Sequence, residues 1–423
     1  LSCIGIYRHK FILSYAISVS VLVITITPFL WFGGNLLIWT VILNILIITT
    51  ILGTYFLLSV TPLSERRRLN FRSLVHIKSP NVGCLTLVLC FSFYYFLVGP
   101  YTEVPSDYWK HLARINIEFD NISDSATGFS LSSVINLDTS PIYAVHALVA
   151  RLSGIRPNDL VFPVTLVTNN IFLVCVYWFS FRLLANFKVS THMKVLGALL
   201  ASVLTLFAFG TATFSFIRYY GFFPTILAFP LIYATTVILL DFLERTEANY
   251  LQLTLAPFIL ITMFLIHRQE LALTLILLAS ITLVKAIRGR LPNSYLSDLA
   301  RSRATFCALF FLVVLAILVI HTVTNKSIGS WTNTPHVIDA GIILPMLSGL
   351  PLDNPAFRFW DTLGYFGLVV YLWFIFRWRT FLRQDFILAS MLIPLFTNLN
   401  PLFAMFFLHY AGPTAIWRTA YLI

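Results

Sequence analysis

Across 423 residues the chain is 58% hydrophobic and 16% aromatic, with only 11% charged side chains and a formal net charge of +11. A soluble domain carries roughly 25% charged residues, because its surface must face water. With a mean hydropathy of +0.86, this composition excludes a soluble enzyme, a disordered chain and a nucleic-acid-binding domain. It predicts an all-α polytopic membrane protein. The five cysteines, Cys3, Cys84, Cys90, Cys175 and Cys307, show no CxxC or Cys/His spacing, so neither a disulfide framework nor a metal cage is expected. Because the chain opens at Leu1 and closes at Ile423 inside an apolar run, both ends are expected to be truncated, around one transmembrane domain covering 1–423.

A spanning helix needs roughly 20 mostly apolar residues, since backbone polar groups in lipid must bond within their own segment. In chain order the candidate spans are 11–31, 36–60, 82–99, 160–181, 195–216, 222–241, 252–267, 270–285, 304–322, 360–376, 386–397 and 402–423, giving eleven or twelve helices. The short ones near 252–285 and 386–397 suit broken or re-entrant helices around a cavity. With the N-terminus placed in the cytoplasm and loops assigned alternately, 19 of the 28 Lys and Arg residues fall inside, 8 fall outside, and Arg418 sits in the last span. The bias follows the positive-inside rule, so the net charge is a topology signal. Two long loops, 100–159 and 324–359, then lie outside.

The first of these loops carries the chemistry. At 100° per residue, a helix starting at Ser106 brings Asp107, His111, Arg114 and Glu118 within about 60° of one another. Tyr108, Leu112, Ile115 and Phe119 form a second stripe beside them. Such a helix lies at the outer interface of the bilayer, with Asp107 in its first turn, where the helix dipole favours a carboxylate. The same stripe would also suit a helix that simply turns its charges to water. Glu118-Phe119-Asp120 has the spacing of an acidic pair that would take a divalent cation, magnesium or manganese. Asn121-Ile122-Ser123 and Asn325-Lys326-Ser327 are glycosylation sequons in the outer loops. A second short helix follows over 140–154, carrying Pro141, Tyr143, His146 and Leu148 and stopped by Gly154, and it leads directly into the span from about Leu160.

Asp107 with Tyr108, then Pro141, Tyr143, His146, Leu148 and Gly154, make this region resemble the GT-C superfamily of integral-membrane glycosyltransferases, which includes protein mannosyltransferases and aminoarabinose transferases. The resemblance covers roughly residues 85–285. It implies a GT-C-like fold with interfacial helices in a large first outer loop. It also implies transfer of a sugar from a polyprenyl-phosphate donor to a hydroxyl of a glycan, lipid or protein acceptor, with Asp107 as general base. Tyr108, His111, Arg114, Tyr143 and His146 would then line the acceptor side. The clear Asp-x-Asp of some members is absent, and only Glu118 and Asp120 stand in a comparable stretch.

Further along, Arg218-Tyr219-Tyr220-Gly221 joins two candidate spans on the outer side, and His267-Arg268-Gln269-Glu270 joins the next pair. Arginine in so apolar a setting is costly unless paired or interfacial, which makes these turns functional candidates. Arg418 lies in the last apolar run, and its planar donors suit a phosphate. Arg218, Tyr220, His267, Arg268, Glu270 and Arg418 are therefore the expected donor-phosphate contacts, sharing one lipid-accessible hollow with Asp107. Both turns also read as hairpin tips with snorkelling charges. The expected setting is the plasma or inner membrane of a prokaryote rather than the endoplasmic reticulum. The rival readings are a multi-pass transporter or lipid flippase, which the lack of an internal repeat disfavours, and an O-antigen-polymerase- or ligase-like enzyme, whose large loop lies later in the chain.

Overall fold

The computed structural model describes residues 10–31, 38–45, 47–49, 79–98, 106–123, 141–207, 224–244, 250–289, 298–325, 367–381, 384–397 and 400, and the structural statements below are of these. Helix takes nearly all of them and no strand occurs among them. The helices are α1 (Lys10–Trp31), α2 (Ser79–Val98), α3 (Ser106–Ser123), α4 (Pro141–Ser153), α5 (Pro157–Leu184), α6 (Thr191–Phe207), α7 (Pro224–Glu244), α8 (Tyr250–Ile266), α9 (Arg268–Arg288), α10 (Asp298–Asn325), α11 (Trp378–Phe381) and α12 (Asp385–Phe396). Shorter apolar helices cover Ile38–Thr49 and Gly367–Phe376. Five of the described helices, α1, α2, α5, α7 and α9, are long and apolar enough to cross a membrane.

Two physical features of these helices suit a bilayer. First, α2 buries Leu87, Phe91 and Tyr95 on one side while Leu85, Leu89, Phe93 and Phe96 stand exposed on the other. α10 likewise leaves Phe306, Leu309, Phe310 and Val313 exposed. A helix that is apolar on both faces finds no favourable exposure in water, whereas lipid tails cover the outer face at no cost. Second, several hydroxyls inside the helices return to their own backbone. Thr27 donates to the carbonyl of Val23 at 2.6 Å, Thr235 to Leu231 at 3.0 Å, Thr274 to Glu270 at 2.6 Å and Thr282 to Leu278 at 2.9 Å. Each satisfies its polar group locally, as an apolar medium requires.

The chain divides into two compact units. In the one built on residues 11–200 and 220–227, α2 and α5 pack antiparallel. The Tyr95 and Phe162 rings pack tilted with centroids 4.9 Å apart, Asn170 donates to Ser92 Oγ at 3.0 Å, and Tyr177 donates to the Pro80 carbonyl at 2.8 Å. Gly83 permits this approach: a Cβ there would lie 2.7 Å from Val195 Cγ1 and 2.8 Å from the Tyr177 hydroxyl. Gly83→Ala should therefore push Tyr177 off Pro80 and cost about 1–3 kcal/mol. A thermal melt in detergent checks this, and an unchanged midpoint would contradict it. At the end of α1, Ile26 and Leu30 bury with Trp39 against Ala144 and Leu148 of α4.

In the other unit α9 is the central helix, with α8, α10 and α12 against it. Its two ends carry ion pairs. Glu270, fully buried in the first turn, pairs with His267. At the far end Asp385 of α12 accepts from Arg288 and lies 3.6 Å from the Lys285 ammonium. The 18 steps from Glu270 to Arg288 span about 27 Å at 1.5 Å each, close to the thickness of a hydrocarbon core. Between the two ion pairs α9 carries only apolar, threonine and serine side chains.

Candidate functional site

The first expected cluster forms where α3 docks on α4 and α5. Around the α3 axis the side chains fall into three sectors. Leu112 and Ile115 are buried, at 4% exposure each, against these neighbours. Trp109 and Ile117 are exposed on a third sector, at 59% and 57%. Between them runs the titratable stripe, of which His111 and Arg114 do not simply face water. His111 Nδ1 and the Tyr143 hydroxyl share a hydrogen bond, and the Arg114 guanidinium lies 5.9 Å from the centre of the Tyr143 ring. Tyr143 is itself buried in α4. The docking is extended by Asn116, which donates to Asn158 of α5 at 3.1 Å, and by Arg151 of α4, which sits 5.4 Å over the Phe119 ring. The sequence did not single out either contact, because both are tertiary and join residues of ordinary type.

His146 lies one turn beyond Tyr143 and lines a small apolar cavity with Leu112, Ile115, Pro157, Leu160, Val161 and Val164. The α4–α5 corner that closes this cavity is set by local chemistry. Gly154 takes a φ of +68°, the left-handed conformation that ends α4, and Pro157 opens α5 at a position where its missing N–H costs nothing. Of the expected acceptor-side residues, His111, Arg114 and Tyr143 are thus brought together, with His146 on the adjoining wall. Asp107 and Tyr108 sit in the first turn of α3, and their side chains lie outside the described residues.

Burial raises the Glu118 carboxyl from its ordinary 4.5 to about 7, and no partner for it occurs among the described residues. The folded chain therefore holds this proton more tightly than the unfolded chain. Its contribution is neutral below about pH 4.5 and becomes destabilising as pH rises through about 7. Glu118→Gln should remove that penalty, stabilising the protein at pH 8 by about 1–3 kcal/mol after allowance for partial solvent contact, and by little at pH 5. Melts of both proteins across this range provide the measurement, and parallel curves would contradict it.

The divalent-cation expectation does not fit this geometry. Glu118 and Asp120 are two positions apart on a continuous helix, so their side chains leave the axis about 160° apart. One ion cannot take both from the same helix. Among the described residues no group of three or more His, Cys, Asp or Glu is placed to hold a metal ion.

The second expected cluster lies at the break between α8 and α9. His267 adopts an extended backbone (φ −161°, ψ 107°) that interrupts two otherwise helical segments. Its Nδ1 is bonded to Glu270 Oε2, and Arg268 lies 4.7 Å over the Phe264 ring. The side-chain oxygen of Gln269 is enclosed and has no hydrogen-bond partner among the described residues. Arg218, Tyr220 and Arg418, which the sequence assigns to the donor phosphate, lie outside the described residues. In comparisons with known proteins, no family model, no curated protein and no solved structure matches the chain.

Proposed function

We propose that this protein is a membrane glycosyltransferase of the GT-C kind, moving a sugar from a polyprenyl-phosphate donor to an acceptor hydroxyl at the outer face of a prokaryotic plasma or inner membrane, with its N-terminus in the cytoplasm. The observation that carries this reading is the docking of α3. A helix in the loop between two candidate spans brings His111 and Arg114 onto Tyr143 of α4. Such an arrangement suits a reaction at the membrane surface, where a lipid tail stays in the bilayer and its phosphate reaches the interface.

In the proposed reaction Asp107 takes the proton of the acceptor hydroxyl as its oxygen attacks the anomeric carbon. The bond from that carbon to the phosphate oxygen breaks, and polyprenyl phosphate leaves with the bonding pair. Negative charge gathers on the phosphate, which Arg218, Arg268 and Arg418 would neutralise. No covalent sugar intermediate is required. The transporter reading is disfavoured by α9, whose charged side chains lie only at its two ends. A transport path calls for ionisable groups at mid-depth.

The donor assignment predicts that purified protein retains polyprenyl phosphate in native mass spectrometry. Arg268→Ala should weaken that retention by about tenfold, the effect of losing one charge-assisted contact. Equal retention by the variant would remove Arg268 from the donor site.

A further inference from the structure

Glu270 is a carboxylate with no solvent exposure in a largely apolar helix bundle. A buried carboxylate is expensive unless a cation or hydrogen-bond donor compensates it. Its ion-pair partner is His267, whose side chain keeps 25% exposure. The pair is not spent on capping α9. The His267 side chain makes no cap bond to the helix, and its backbone N–H already donates to the Met263 carbonyl at 2.8 Å. The carboxylate therefore acts on the imidazole ring itself. It takes up Nδ1 of the ring and leaves Nε2 as the nitrogen that can meet a ligand.

We propose that His267, oriented by Glu270, is a proton donor to the phosphate of a lipid phosphate bound at the α8–α9 break, an assignment that rests on the donor-lipid reading given above. As the bond from the sugar to phosphate breaks, the departing oxygen receives the electron pair. The Nε2 proton passes to a phosphate oxygen, leaving neutral imidazole and a monoanionic polyprenyl phosphate. The acceptor's proton goes separately to Asp107, so charge and protons balance. The ring regains its proton from water before the next turnover.

Arg268 is the adjacent cation, stacked on Phe264. On the helices packed against α9, the charged side chains among the described residues are Asp298, Arg301 and Arg303 of α10 and Asp385 of α12, and Asp385 engages the opposite end of α9.

The test uses the whole protein in detergent. Carbethoxylation of His267 by diethyl pyrocarbonate, resolved by peptide mass spectrometry, reports where its ring loses the proton. The pH midpoint should fall by about one unit or more in Glu270→Gln. Should that variant fail to fold, the wild-type midpoint should still lie about one unit above that of a short peptide carrying the same histidine. Polyprenyl phosphate is the binding probe: retention should weaken by about tenfold between pH 6 and pH 8, and His267→Gln should abolish that pH dependence. An unshifted midpoint, or the same pH dependence in His267→Gln, would overturn the proposal. A protein that shows both effects yet transfers no sugar would keep the phosphate site and lose only the transferase reading.

Discussion

Asp385→Asn should destabilise the protein by about 3 kcal/mol or more, the largest stability effect expected from a single polar substitution here. Asp385 is the carboxylate facing both Lys285, which is 4% exposed, and Arg288. Removing its charge leaves two cations at the end of α9, one of them almost wholly buried. Burying an unpaired ammonium costs more than the pair contributes when intact, so the variant should lose more than a surface ion pair is worth. Combining Asp385→Asn with Lys285→Met should recover much of the loss, because the buried positive charge is removed together with its partner. Thermal melts of the two single variants and the double variant give the coupling directly. A single variant within about 0.5 kcal/mol of the parent would show that the cluster is solvated rather than buried.

Asp107→Asn should lower transfer by about 10²–10⁴-fold while leaving the fold intact. An amide matches the carboxylate in shape but takes no proton from the acceptor hydroxyl. The position is in the first turn of α3, where the carboxylate's interaction with the helix dipole is worth at most about 1 kcal/mol, so the variant should remain folded. Turnover with an unchanged melt is the comparison that matters. Full activity in the variant would move the base elsewhere, with Glu118 the nearest alternative on the same stripe.

The parts of the structure that depend on local pattern were legible in the sequence. The stop at Gly154, the short helix before it and the interruption at His267 each follow from residue type and apolar spacing, and each is found within a few residues of its expected place. The span expected from 160 begins at Pro157, because proline is a favoured first residue of a helix. The α10 helix begins at Asp298, six residues before the expected 304, because an apolar filter discards the charged turn that opens it.

Features that depend on distant partners were not legible. Arg288 and Asp385 are 97 positions apart, and nothing in either neighbourhood announces the pair. The stripe on α3 was legible from its spacing, but the hydrogen bond between His111 and Tyr143 joins residues 32 positions apart. The Glu118–Asp120 spacing pointed to a metal pair only while the local conformation was open. Once the segment is a continuous helix, the two carboxylates diverge.

The most direct measurement is transfer itself. Purified protein in liposomes should be given a polyprenyl-phosphate sugar labelled in the sugar, together with a hydroxyl-bearing acceptor. The glycosyltransferase account predicts that label leaves the lipid and appears covalently in the acceptor, with one polyprenyl phosphate released per sugar moved. Label that remains on intact donor lipid across the panel of sugars, while that lipid passes from one leaflet to the other, would contradict it and establish a flippase instead.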